Sequence, residues 1–319
     1  MLKGLFKWST VVLLALAVTA FTAAGSRAQA LKEIRIGYQK AGIFPAVKQR
    51  GTVEEALRGQ GISVRWVEFP FGPPLLEALN TGSLDFGYTG DAPPVFAQAA
   101  AANLLYVAAL PAAGANEAII VAEASPIRSV ADLKGKRIAV AKGSSAHNTL
   151  VAVLEKAGLG YSDIVPVYLA PADAAAAFSS GSVEAWCIWD PYLALAQNAT
   201  VRVVALARDA HDSNAFFLAN KEFVAGHPDL VARLNAIFAA ESNWADGHRQ
   251  EVAASLHAAT GIDSVAIARA VARSQFLVVP LSDAIVTSQQ ATADRFFRLG
   301  LIPKPVAVRE IVWRWVPEP

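Results

Sequence analysis

From residue 31 onward, apolar runs of strand length alternate with amphipathic runs of helix length. This rhythm predicts an α/β fold with mostly parallel strands. Strands are expected at Ile34–Tyr38, Val64–Phe69, Leu84–Tyr88, Leu104–Leu110, Ala118–Ala122, Arg137–Ala141, Val165–Leu169, Ala185–Ile188, Val201–Leu206 and Ala215–Ala219, with helices between most of them. After Lys221 only helical periodicity remains. His227-Pro228-Asp229, Asp263-Ser264 and Ser282-Asp283 read as capped helix starts there.

Pro111 to Gly114 and Ser125-Pro126 punctuate the middle of the chain, which suggests a crossing to a second α/β unit. A return is expected near Asp212 to Asn214. The expected domains are therefore a first lobe of residues 31–119 and 215–319 and an inserted second lobe of 120–214. Two lobes joined by two segments form a hinge that can close on a ligand.

Residues 1–30 stand apart. Lys3 and Lys7, the apolar run Val11 to Phe21 and Ala28-Gln29-Ala30 read as a secretory signal cleaved after Ala30. The run is shorter than the roughly 20 apolar residues that span a bilayer. The only cysteine is Cys187, so no lipoprotein cysteine stands at the cleavage point. The mature chain is expected to be free in the periplasm.

Without Lys3, Lys7 and Arg27 the 28 basic residues fall to 25, against 27 acidic ones. A net charge near −2 argues against nucleic-acid binding. A single cysteine makes no intrachain disulfide, so the fold must rest on its core. Within the apolar run Trp186-Cys187-Ile188-Trp189 the thiol is expected to be buried and inert.

Candidate chemistry lies at three strand-to-helix junctions: Tyr88-Thr89-Gly90-Asp91-Ala92-Pro93-Pro94, Lys142 to Asn148, and Trp189-Asp190-Pro191-Tyr192. Ligands of open parallel sheets sit at the carboxyl ends of strands, so these are the places to look. In the second junction a glycine, two serines and the N–H groups of a helix start can surround a tetrahedral oxyanion. Ser144 or Ser145 could instead only cap that helix. His147 does not fit the core stripe of Leu150, Val151 and Leu154, and is expected to face the cleft between the lobes. Asp91 suits a helix cap, and Trp189 and Tyr192 supply flat apolar surface beside Asp190. No Gly-x-Gly-x-x-Gly after a strand, Walker loop, Gly-x-Ser-x-Gly or Ser-x-x-Lys motif occurs, and the five histidines lack metal-ligand spacing. No cofactor, metal or catalytic residue is expected.

The segments Gly37-Tyr38-Gln39-Lys40, Trp66 to Pro70, Thr89 to Gln98, Lys142 to Ser145 with His147-Asn148, and Trp189 to Tyr192 together resemble the periplasmic aliphatic sulfonate-binding proteins of ABC importers. The likeness runs in register from about Ile34 to Trp315. It implies a type II periplasmic binding protein, expected to act as a monomer. Such a protein captures an alkanesulfonate between two lobes and delivers it to a membrane permease and its ATPase for sulfur acquisition.

On that reading Ser144, Ser145, His147 or Asn148 and the helix-start amides hold the sulfonate. Gln39 and the Thr89-Gly90 turn contribute from the first lobe, and Trp189 and Phe44 meet the alkyl tail. Asp91, Asp190 and Glu117 either recognise an ammonium on the ligand or are tied up structurally. A protonated His147 would add charge attraction, making affinity fall as pH rises. Taurine- or nitrate-type binding, a desulfinase-like enzyme and a periplasmic sensor domain remain alternatives. The cysteine nucleophile that desulfinases carry near the first strand is missing from Tyr38 to Gly42.

Overall fold

The computed structural model describes residues 31–197 and 199–317. The expected signal, residues 1–30, lies outside them. The strands, numbered along the chain, are β1 (Glu33–Tyr38), β2 (Ser63–Glu68), β3 (Phe86–Gly90), β4 (Leu104–Ala112), β5 (Glu117–Ala122), β6 (Arg137–Val140), β7 (Val165–Tyr168), β8 (Ala185–Trp189), β9 (Val201–Leu206) and β10 (Ser213–Asn220). They form two sheets, ordered β2-β1-β3-β10-β4 and β7-β6-β8-β5-β9.

The two orders share one plan. In each sheet three strands run parallel, and the fourth position is taken by an antiparallel strand that comes from, or leads to, the other lobe. The chain crosses after Ala112 and returns before Ser213. The boundaries drawn at 119/120 and 214/215 therefore fall inside β5 and β10. Pairing explains the shift: Asn214 and Ser213 lie opposite Pro111 and Ala112, so the ladder runs on through the punctuating proline. Pro111 is tolerated because β4 is an edge strand, where a missing N–H leaves no ladder bond broken.

Side-chain alternation sorts the core. Phe217 and Ala219 of β10 enter the cluster containing Ile34, Ile36 and Phe44, whereas Phe216 and Leu218 enter the one on the opposite face with Leu75 and Tyr106. At Gly37 of β1 a Cβ would lie 2.5 Å from Leu84 Cδ1, so only glycine lets the second face close there. The inserted lobe has its own core around Ile119, Ile138, Leu150 and Ile188. β3 starts two residues later than expected and includes Gly90. Leu84 and Asp85 precede the ladder, and the Asp85 carboxylate accepts bonds from the Arg35 amide and guanidinium.

Of the expected C-terminal helix starts, Asp263 caps Ser264–Arg273 through the amides of Val265 and Ala266, and Ser282 caps Asp283–Arg298 through Ile285. His227 makes no side-chain cap to Pro228–Gly247. Asn220 caps an additional helix, Lys221–Gly226. No helix among the described residues is long and apolar enough to cross a membrane.

Candidate functional site

β1 and β3 of the first lobe and β6 and β8 of the second end at one cleft, the place that open parallel sheets leave for ligands. It encloses about 130 Å³, room for on the order of ten waters and so for a small organic anion. Gln39, Lys40, Tyr88 and Gly90 line it from one lobe; Glu117, Ser144, Ser145 and Trp189 line it from the other.

The β6 exit is built around a helix start. Gly143 takes φ +73°, which turns the chain, and Ser144 sits extended as the N-cap of helix Ser145–Lys156. Its hydroxyl donates to Ala141 O at 2.7 Å and accepts from His147 N at 3.4 Å. Gly143 N donates to His147 Nδ1, and Asn148 N to Ser144 O. Of the first-turn amides, those of Ser145 and Ala146 are left without an acceptor among the described residues. Across the cleft lies Gly90, where a Cβ would come within 2.6 Å of Ser145 Cβ. The two lobes touch there because residue 90 has no side chain.

The expected site residues divide into two sets. Gln39, Gly90, Ser144, Ser145, Trp189 and Asp190 line the cleft. Thr89, Asp91, His147 and Asn148 lie behind it, buried. Thr89 bonds Gly90 O, and Gln39 Nε2 donates to Tyr88 O at 3.0 Å. His147 turns away from the cleft to pack among Phe96, Tyr161, Tyr168 and Phe296, with Nε2 2.9 Å from the Tyr161 hydroxyl. Burial, reinforced by Lys142, lowers its pKa to about 4. It is therefore neutral at physiological pH and supplies no charge to the cleft. Phe44 is likewise buried in the first-lobe core, stacked on Phe238, and meets no ligand space.

Asp91 and Asn148 form part of a latch between lobes. Asp91 Oδ1 caps helix Ala92–Ala99 through Ala92 N at 2.7 Å, and Oδ2 accepts from Asn148 Nδ2 at 2.6 Å. Asn148 Oδ1 in turn accepts from Arg295 at 2.8 Å, and Gln289 Nε2 donates to Asp91 O. A second latch lies on the other side of the cleft, where Arg273 holds Asp190 through two bonds of 2.9 and 2.7 Å and Asp190 Oδ1 also accepts from Ala194 N. Burial raises the Asp190 pKa to about 6, against the pull of Arg273. Nothing local in the sequence marks Arg273. Asn116 and Asn214, at the two crossings, also line the cleft and carry no motif.

Glu117, like Asp190, is an acidic group that lines the cleft while lying almost wholly buried. Its Oε1 lies 2.8 Å from Ser145 Oγ and its Oε2 2.9 Å from Thr149 Oγ1. Burial, with a smaller push from Asp91, raises its pKa to about 8. Cys187 is fully buried, donates to Ala146 O, and has its pKa raised well above that of a free thiol by burial. That environment leaves no thiolate for nucleophilic work. Among the described residues no cluster of His, Cys, Asp and Glu could hold a metal ion.

Residues 57–251 match the family model described as NMT1/THI5 like. An aliphatic sulfonates-binding protein of Escherichia coli is 41% identical over 94% of this chain and 93% of its own length. One from Bacillus subtilis is 37% identical over 98% and 95%. The alkanesulfonate-binding protein of Xanthomonas axonopodis, solved with MOPS bound, superposes with a TM-score of 0.83 at 41% identity, covering 90% of this chain and 99% of that one. A desulfurization enzyme, 20% identical with a TM-score of 0.64 over 89% of this chain and 97% of that one, shares the fold alone.

Proposed function

The chain belongs to the NMT1/THI5-like family, among its aliphatic sulfonate-binding proteins, and from that premise we propose that it binds an alkanesulfonate between its lobes without transforming it. The observation that carries this reading is the Ser144-Ser145 helix start. It brings the amide and hydroxyl of Ser145 to a cleft walled on one side by Trp189, with the amide of Ala146 next in the same helix start. A sulfonate is ionised at every physiological pH and offers three acceptor oxygens, so it calls for donors rather than a proton acceptor. The amides of Ser145 and Ala146 would hold the oxygens, and Trp189 would cover the alkyl carbons.

Gln39 and Gly90 would complete the site from the first lobe. Thr89, Asp91 and Asn148 would act through the turn and latch they build rather than by touching the ligand. The two latches support closure around a ligand, since each ties a side chain of one lobe to the other. Delivery to a membrane permease driven by an ATPase, and release into the periplasm by cleavage after Ala30, complete the proposal. N-terminal sequencing of the exported protein should begin at Leu31.

Calorimetry with ethanesulfonate, taurine, sulfate and nitrate, in a buffer that is not itself a sulfonate, tests the central reading. Ethanesulfonate is expected to bind, with sulfate and nitrate at least tenfold weaker. Nitrate binding without sulfonate binding would overturn the assignment.

A further inference from the structure

The hydroxyl of Ser145 has one hydrogen, and two acceptors compete for it: an anion in the cleft and Glu117 Oε1 at 2.8 Å. An ionised Glu117 is acceptor-only. It would hold that hydrogen, turn the serine lone pairs toward the cleft, and add a negative charge beside the anion. A neutral carboxyl competes weakly: with its proton on Oε2, Oε1 is left as an uncharged acceptor, which yields the serine hydrogen to an anion in the cleft.

The hydrogen bonds on the far side of Glu117 accommodate the neutral form. Thr149 Oγ1 lies 2.9 Å from Glu117 Oε2 and 2.9 Å from His211 Nε2. His211 Nδ1 lies 2.9 Å from the Asp212 carbonyl, which can only accept, so Nδ1 carries the hydrogen. With a neutral imidazole, Nε2 must then accept from Thr149. Thr149 has no second hydrogen, so Oε2 must donate to it. With that tautomer and a neutral ring, the chain Glu117 to Thr149 to His211 to Asp212 closes with a proton on Glu117; Asn148 Nδ2, 3.4 Å from the same Nδ1, is the donor that competes for the other tautomer, in which Thr149 donates to Glu117 instead.

The charged and titratable groups around Glu117 reinforce this. Asp91, at the start of helix Ala92–Ala99, repels it, and Tyr88 on β3 and Cys187 on β8 are the other titratable groups coupled to it. His211, at the return crossing, reaches it through Thr149 and lies 3.8 Å from Asp91 Oδ2. Among the described residues no arginine or lysine bonds to it.

Resting on the sulfonate reading above, we propose that Glu117 is a positioning residue whose bound proton releases the Ser145 hydroxyl to the ligand, so that sulfonate is held by the protonated form of the site and let go by the ionised one. Sulfonate affinity then falls with rising pH, although the ligand itself never titrates. The burial that raises Glu117 to about pH 8 sets the window.

The test is calorimetry of ethanesulfonate binding between pH 6 and 9.5 in imidazole and Tris buffers, whose different protonation heats count protons exchanged. The wild type should lose affinity by about tenfold per pH unit above pH ~8, with proton uptake on binding there. Glu117→Gln, which cannot ionise, should bind with affinity constant within threefold across the range and no proton exchange. Wild-type affinity that stays flat, or a Glu117→Gln variant that falls with it, would overturn the inference while leaving the sulfonate reading intact. If the variant fails to fold, the wild-type proton count decides alone, and zero exchange above pH 8 sinks the idea. Absence of sulfonate binding at every pH overturns the reading beneath it, and this inference with it.

Discussion

Asp91 and Asp190 occupy the same slot in the two lobes. Each follows the third parallel strand of its sheet, stands at a helix start, is buried, and reaches across to the other lobe. What answers the charge differs. Asp190 meets a guanidinium directly, in a two-pronged bond to Arg273. Asp91 meets only an amide, and Asn148 passes the interaction on to Arg295. Burial raises the pKa of both. One plan, used twice, thus yields a stiff ionic clasp on one flank of the cleft and a softer relay on the other. The geometry of a carboxylate at a strand exit does not determine its role; the partner arriving from the other lobe does.

The sharpest way to break that contrast is Arg273→Met. It leaves Asp190 buried and unpaired, a loss of about 3–5 kcal/mol that urea denaturation should register. The sign of its pH dependence is fixed by Asp190, whose folded pKa, about 6, already lies above its usual value. Stability from such a group is full below the unfolded pKa and is lost as pH rises through the folded one. The variant should therefore suffer more at pH 8 than at pH 5; equal losses would deny Asp190 any part in it.

Asp91→Asn should cost less, about 1–3 kcal/mol. Its amide would confront Asn148 Nδ2, and turning Asn148 over would take the acceptor from Arg295. A loss matching that of Arg273→Met would erase the distinction between clasp and relay. Gly90→Ala separates closure from folding: its Cβ would press on Ser145, 2.6 Å away, and hold the lobes apart. Sulfonate affinity should drop about tenfold, near 1.4 kcal/mol, with a smaller change in melting temperature.

The smallest effect on binding belongs to His147→Gln. Ethanesulfonate affinity at pH 7 should be unchanged, since this ring lies outside the cleft. Its signature is in acid. A histidine whose folded pKa is depressed to about 4 binds a proton in the unfolded chain first, so stability is lost as pH falls from about 6.5 toward 4. The variant should flatten that limb of the stability profile, and an unaltered limb would remove His147 from the account.

The strands were legible because buried parallel strands are written as apolar runs, as in the fully buried Ala185–Trp189. The junctions followed from where those runs end. The orientation of His147 did not. Setting it against Leu150, Val151 and Leu154 assumed a helix with one buried face. Helix Ser145–Lys156 is buried from Ala146 through Leu154, with its own sheet on one side and Phe96 and Phe296 of the other lobe on the other. A helix pressed between two lobes has no solvent face to read. Arg273 was missed for a related reason: its partner lies 83 residues away, and no local pattern encodes that distance.

The inserted lobe is a single unbroken stretch whose first and last strands, β5 and β9, lie side by side, with Ala118 opposite Leu206. Its two ends are neighbours, so the stretch can be cut out and replaced in one recombination event without rethreading the rest. Glu117, Ser144, Ser145 and Trp189 would travel together, bringing one wall of the cleft, helix start and aromatic surface included, as one heritable unit. Descent can therefore exchange half of this cleft in a single step and leave the first lobe, with its helical tail, as it was.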